Sequence, residues 1–422
     1  MRLRKLGTML RLGKVAIAAL GAVAMLPAQS VLDGWVTTWT TAQQLIAPNG
    51  PPRPARQKGP EASNLPASLA DQTVRMMAHV SVGGRRVRVE LSNMLNAQPL
   101  EIGAAHLATA KAGGEIADGT DRVLKFGGSA SFTIPPGAIA VSDPVDLEVA
   151  PLSDLAVSMY LPRDTGAPAN HTVGLHTAYV SKGNVVGSRS MPEPATMFAY
   201  AWLAGIDVAA PRDAYTVVAL GDSITDGFAT TRDANMAWPT LLAKRLKENK
   251  STQHVAVVNQ GISGNQVLRD GAGISALARL DRDVLTRPGV KWVILLEGVN
   301  DINIRTRPGG ANPLTADELI GGYRQIIERC HAQGIKVMGA TLTPAVGVPT
   351  YSEHGEEVRV AANRWIRAKG NFDAVVDLDA VLRDAQSLAR LKAEADSGDH
   401  IHPNDAGNQK MADAFDLGVF KQ

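Results

Sequence analysis

The residues best placed to do chemistry lie in short polar clusters, each following an apolar run of strand length. The run 217–220 stops at Gly221, and Ser223 follows in the turn Gly221-Asp222-Ser223-Ile224-Thr225-Asp226-Gly227. An apolar run that ends in small and polar residues places the serine hydroxyl at the carboxyl end of a buried strand, where open α/β sheets bind ligands. A Gly-Asp-Ser triplet alone is an ordinary polar turn, so its weight depends on partners. Three further clusters supply them: residues 259–265 (Asn-Gln-Gly-Ile-Ser-Gly-Asn), 297–301 (Glu-Gly-Val-Asn-Asp) and 398–404 (Gly-Asp-His-Ile-His-Pro-Asn). A serine hydroxyl is a weak nucleophile until a base removes its proton, and the last cluster offers histidines next to an aspartate that could do so.

The elements that must carry these clusters can be read from periodicity. From about Tyr215 the chain alternates apolar strands (216–220, 255–259, 292–296, 336–340, 374–378) with helix-like segments (238–248, 275–285, 316–333, 356–369, 406–415). Five strands with intervening helices predict a parallel three-layer α/β/α, flavodoxin-like sheet, with the polar clusters gathered at one edge. Before it, residues 73–179 follow a period of two. Val80 and Val82 lead into Gly83-Gly84, and Val87, Val89 and Leu91 alternate with Arg86, Arg88 and Glu90, which reads as a hairpin. Similar runs at 131–134, 145–149 and 155–161 extend this to a β-sandwich or jelly-roll domain.

The expected organisation is a signal peptide at 1–30, a β-rich domain at 31–210 with a Pro-rich loop at 46–68, and a catalytic domain at 211–422. Arg2, Arg4, Lys5, Arg11 and Lys14 precede an apolar core at 15–26, and Ala28-Gln29-Ser30 offers small residues for cleavage, so export to the periplasm or medium is expected. No apolar run reaches the length of a membrane span, and no stable insertion is expected after cleavage. Those five basic residues carry the small positive charge. The remaining 38 Lys and Arg face 41 Asp and Glu, near −3, which leaves no basic footprint for nucleic acid.

The four clusters resemble the blocks of the SGNH, or GDSL, hydrolase family: Gly221-Asp222-Ser223, then Asn259 with Gly261 and Gly264, then Gly298-x-Asn300-Asp301, then Asp399-x-x-His402. The resemblance spans about 215–415, and the whole chain looks like secreted bacterial two-domain members, some of whose relatives are associated with deacetylation of plant polysaccharides. A Gly-x-Ser-x-Gly elbow, the mark of the α/β-hydrolases, occurs nowhere in the chain.

The resemblance implies a Ser223, His402, Asp399 triad that works through an acyl-enzyme. His400 competes with His402, but the Asp-x-x-His spacing favours the latter. It also implies an oxyanion hole of the Ser223 N–H, the Gly264 N–H and the Asn300 amide, with Asp222, Asn259 and Asp301 in support. Gly264 suits that role because a residue without Cβ lets backbone approach a substrate.

The expected activity is hydrolysis of carboxylic esters, with a short acyl group on a poly- or oligosaccharide preferred. A lipase or lysophospholipase activity and a catalytically silent polysaccharide-binding protein are the alternatives. No metal or organic cofactor is called for, and oligomeric state is not legible. Cys330, the lone cysteine, is expected in the core, as is Trp238. His79, His106, His171 and His176 are expected to be structural or solvent-exposed. Trp35 and Trp39 are candidates for sugar stacking or core packing.

Overall fold

The computed structural model describes residues 34–44, 64–309 and 313–421. The expected signal peptide and residues 46–63 of the Pro-rich loop lie outside them. Among the described residues no helix is long and apolar enough to cross a membrane.

The N-terminal part is a sandwich of two antiparallel sheets. One contains strands Gly34–Thr40, Leu203–Ala210, Gly84–Ser92, Ile139–Val141 and Val145–Val149. The other contains Ala195–Met197, Ala178–Lys182, Gln72–His79, Asp154–Leu161, Ala104–Thr109 and Arg122–Val123. Val87, Val89 and Leu91 of the first sheet and Val74, Met76 and Ala78 of the second are all buried in one core. The alternation that predicted a half-buried sheet holds in Gly84–Ser92, whereas Gln72–His79 is covered on both faces, with Thr73, Arg75 and Met77 buried as well.

The predicted Gly83-Gly84 hairpin does not form. The strand Gln72–His79 pairs with Asp154–Leu161 and Ala178–Lys182, whereas Gly84–Ser92 belongs to the opposite sheet. Neither glycine has a positive φ, as a tight hairpin turn would require. They serve close approach instead: a Cβ on Gly83 would lie 2.1 Å from the Val149 carbonyl oxygen, and one on Gly84 2.5 Å from that of Ala209. The dipeptide carries the chain from one sheet to the other.

The second part is a five-stranded parallel sheet in the order Val255–Gly261, Tyr215–Gly221, Val290–Leu296, Lys336–Ala340, Ala374–Val376. Apolar side chains cover both faces, with Val217, Ala219 and Ile294 on one side and Val218, Leu220 and Val293 on the other. Burial on both faces explains why the strands read as continuous apolar runs rather than as alternation.

Two predicted elements change. The 275–285 helix is α-helical over Ala276–Leu280 and then widens to a π turn over Asp281–Leu285, which spans a buried ion pair between Arg279 and Asp283 at 3.0 Å. The last strand stops at Val376, because the Asp377 side chain accepts the Ala380 N–H and caps a new helix, Leu378–Leu382.

The two parts meet along the edge strand Val255–Gly261. Ser81 Oγ accepts the Val257 N–H at 2.8 Å, and Thr40 Oγ1 donates to the Asn259 carbonyl at 2.9 Å. Thr216 Oγ1 donates to Thr37 O at 2.9 Å, and Arg287 pairs with Glu90 at 2.9 Å.

Candidate active site

Ser223 begins a single helical turn, Ser223–Asp226, straight after the central strand. The turn is built locally. The Asp222 carboxylate accepts the Ile224 N–H at 3.0 Å, the Asp222 carbonyl accepts the Asp226 N–H at 2.8 Å, and Gly227 closes the turn at φ +94°. Gly221 is required before it, since a Cβ there would lie 2.2 Å from Thr225 Oγ1 and 2.4 Å from the Leu296 carbonyl. The serine thus sits at the N-terminus of a helical turn, where its N–H has no intrahelical partner.

The loop before the Asp405–Asp413 helix brings the other side chains to it. His402 Nε2 is 2.7 Å from Ser223 Oγ, and His402 Nδ1 is 2.6 Å from Asp399 Oδ2. The second Asp399 oxygen accepts the N–H of His402 at 2.9 Å and that of Ile401 at 3.2 Å. Burial would push the Asp399 carboxyl upward, but its bond to His402, the imidazole charge and these backbone donors together hold it well below the usual carboxylate range. Ser223 and His402 are 6% and 4% exposed, so they meet largely out of water. The Phe228 ring packs 4.4 Å from that of His402. His400 takes a different partner: its Nδ1 lies 2.7 Å from Asp396 Oδ2.

The loop 262–268, after the edge strand, is tied down on both sides. Ile262 N–H donates to Gly221 O at 3.0 Å, while Asp301 accepts the N–H groups of Val267 and Leu268 at 2.7 and 3.0 Å. The Asn300 amide donates to Asn265 O at 2.9 Å, which uses one of its two hydrogens. Gly264 has φ +83°, a region that L side chains rarely adopt. Asn259 Nδ2 donates to Thr225 O at 2.8 Å and its Oδ1 accepts the Gly261 N–H, so it joins the serine turn to this loop. All eight residues singled out from the sequence fall in this assembly: Asp222 and Ser223 in the helical turn, Asn259 at the end of the edge strand, Gly264 in the loop after it, Asn300 and Asp301 in the helix Val299–Arg305, and Asp399 and His402 in the loop before Asp405–Asp413.

A buried arginine, which the sequence reading did not select, lies beneath them. Arg279 Nε donates to Asn265 Oδ1 at 2.8 Å, Nη1 to Gln260 O at 2.7 Å, and Nη2 to Gly221 O at 3.0 Å. Glu297 lies 3.6 Å from the same guanidinium. Burial, and then the neighbouring Asp222 charge, push the Glu297 carboxyl well above its usual range despite Arg279. Burial likewise raises Asp222, and it raises Asp301 to about 6 against the two backbone donors. No pattern of spacing marks Arg279, because its partners come from three separate strand ends.

His171 was expected to be structural or exposed. It is buried, and its Nε2 is 2.8 Å from Asp226 Oδ1 in the serine turn. Of the other candidates, Trp39 packs edge-on against Tyr200 and Arg88 lies 4.5 Å over the Trp35 ring, so both tryptophans have protein partners. Trp238 is buried and stacked on Phe415. Cys330 is buried and free, its thiol pushed up to about 12 by burial. Among the described residues no group of histidine, cysteine and carboxylate side chains is placed to hold a metal ion.

Residues 219–410 match the model of the GDSL-like lipase/acylhydrolase family. The chain carries a GDSL-like lipase/acylhydrolase domain. Among solved structures, this chain is similar to an acetyl xylan esterase, at 26% identity over 47% of this chain and 96% of that one, with a TM-score of 0.37. It is also similar to a GDSL-like lipase from Bacteroides thetaiotaomicron, at 21% identity over 48% and 87%, with a TM-score of 0.36. A third is an acetylxylan esterase from Geobacillus stearothermophilus, at 22% identity over 49% and 94%, with a TM-score of 0.37. No curated protein sequence gives a significant match.

Proposed function

We propose that this GDSL-like protein is an exported serine esterase that removes short acyl groups, acetyl in the first place, from a poly- or oligosaccharide. The observation that carries the reading is the unbroken chain of hydrogen bonds from Ser223 Oγ through His402 to Asp399. In the proposed mechanism His402 Nε2 takes the serine proton as Oγ attacks the ester carbonyl. It then returns the proton to the leaving alcohol, and in the second half-reaction it activates the water that releases the acid. Asp399 keeps Nδ1 protonated and stabilises the imidazolium. The carbonyl oxygen, negative in the tetrahedral intermediate, is met by the N–H groups of Ser223 and Gly264 and by the free amide hydrogen of Asn300.

A short acyl group is favoured because Phe228 crowds the His402 ring and the reacting pair is nearly buried. Export rests on the basic and apolar pattern of residues 1–30.

The test is hydrolysis of p-nitrophenyl acetate, butyrate and a long-chain ester, together with acetylated xylooligosaccharides, with Ser223→Ala as control. Activity that falls with chain length and disappears in the variant is expected. Activity that rises with chain length would move the substrate to lipids. No Ser223-dependent activity on any ester would favour a silent binding protein.

A further inference from the structure

Resting on the esterase reading, we infer that His171, from a two-stranded ladder beside the β-sandwich, is a positioning residue of the active site, setting through Asp226 where the Ser263-Gly264 backbone stands relative to Ser223. The ring is held at both nitrogens. Nδ1 lies 2.7 Å from the Ala42 carbonyl and Nε2 lies 2.8 Å from Asp226 Oδ1. The Ala42 carbonyl and an ionised Asp226 both accept, so with that carboxylate only a ring with a hydrogen on each nitrogen satisfies the two. The other Asp226 oxygen accepts the Ser263 N–H at 2.8 Å and the Ser263 hydroxyl at 2.7 Å. Asp226 ends the turn that Ser223 begins, and Ser263 directly precedes Gly264. One carboxylate therefore sets the spacing between the nucleophile and a donor to the oxyanion, and a histidine from outside the parallel sheet compensates that carboxylate. His171 and Asp226 are 3% and 2% exposed, so water does not replace the bond.

The groups facing the ring are Asp226, the Tyr200 ring at 6.4 Å, and the charge of Arg279. Burial favours the neutral ring and Arg279 adds to that. The Asp226 charge and bond and the Ala42 carbonyl outweigh both, so the His171 pKa is raised. The imidazolium is thus kept to a higher pH than a free imidazole would keep it and is lost as pH climbs through the raised value.

The test compares wild type, Ser223→Ala, His171→Phe, His171→Gln, Asp226→Asn and the His171→Phe/Asp226→Asn double variant on p-nitrophenyl acetate from pH 6 to 9. His171→Phe is expected to lower kcat about 10- to 100-fold at neutral pH with KM changed less than about threefold, as for a misplaced reacting group. The double variant is expected to be no slower than the slower single one, and His171→Gln, which keeps an amide donor, to recover part of the loss. The wild-type fall in kcat at alkaline pH is expected to flatten in His171→Phe.

A folded His171→Phe with wild-type kcat, or multiplying effects in the double variant, overturns the inference. Should His171→Phe fail to fold, Asp226→Asn decides, because it removes the charge that pairs with His171 while keeping the size of the side chain: unchanged kcat there overturns the inference as well. Activity surviving in Ser223→Ala instead overturns the esterase reading on which it rests.

Discussion

Asp399 Oδ2 stands 2.6 Å from His402 Nδ1 while Asp399 Oδ1 accepts the His402 backbone N–H, so one carboxylate fixes both the ring and the chain that carries it. Asp399→Asn keeps the size of the side chain but removes the charge that holds the imidazole in its tautomer. A kcat loss of about 10² to 10⁴ is expected, read by steady-state kinetics at neutral pH. The carboxyl is depressed in the folded state, so the stability it adds is present above the unfolded value near 3.9 and is lost only as pH falls through the lower folded one. Thermal melts of wild type and Asp399→Asn should therefore differ by a constant amount from neutral pH down to about 5 and converge only under strongly acid conditions.

Asn300→Ala removes the bond to Asn265 O and, in the proposed mechanism, one oxyanion donor. Turnover should fall about 10² to 10³-fold with a small change in melting temperature. A loss under threefold would remove Asn300 from the proposed hole.

Gly264→Ala should cost both activity and stability. The backbone stays at φ +83°, and the new methyl would lie 2.9 Å from the Ala272 Cβ. About 1–2 kcal/mol of destabilisation from the left-handed conformation alone is expected, measurable by urea unfolding.

Glu297→Gln tests the buried carboxyl beneath the serine. Because its folded pKa is raised, the native state resists ionisation, and stability declines as pH rises above the usual carboxylate range toward the folded value. The amide abolishes that decline. The variant should gain stability relative to wild type as pH rises above about 4, seen as melting temperatures that diverge with rising pH.

Arg279→Lys replaces a five-donor fork with a point charge that cannot reach Asn265, Gln260, Gly221 and Asp283 together. A lysine keeps the charge but leaves buried acceptors among Asn265 Oδ1, Gln260 O and Gly221 O without a donor, which should destabilise by about 1–3 kcal/mol for each one lost. Calorimetry checks this, with far-UV circular dichroism to confirm the fold.

The parallel sheet was legible because strands buried on both faces must be apolar throughout, and its polar strand ends stand out against them. The residues of the Ser223 turn, the 262–268 loop and the His402 loop were visible for the same reason. What the sequence hid is whatever depends on a partner far along the chain. Gly83-Gly84 carries the signature of a turn, yet its glycines answer to Val149 and Ala209, whose approach no local pattern announces. His171 gives no signal either, since Asp226 is 55 residues away, in the helical turn after the central strand of the parallel sheet. The π turn at Asp281–Leu285 was hidden because a widened helix keeps the helical apolar pattern.

The hydroxyls of Ser81 and Thr40 bond the outward-facing Val257 N–H and Asn259 carbonyl of the sheet's edge strand. A parallel sheet released from the sandwich, as residues 211–422 alone, would present those groups as a template for another chain. Truncation is therefore expected to raise the tendency of the fragment to self-associate, and the sandwich serves as a cover for the sheet's open border.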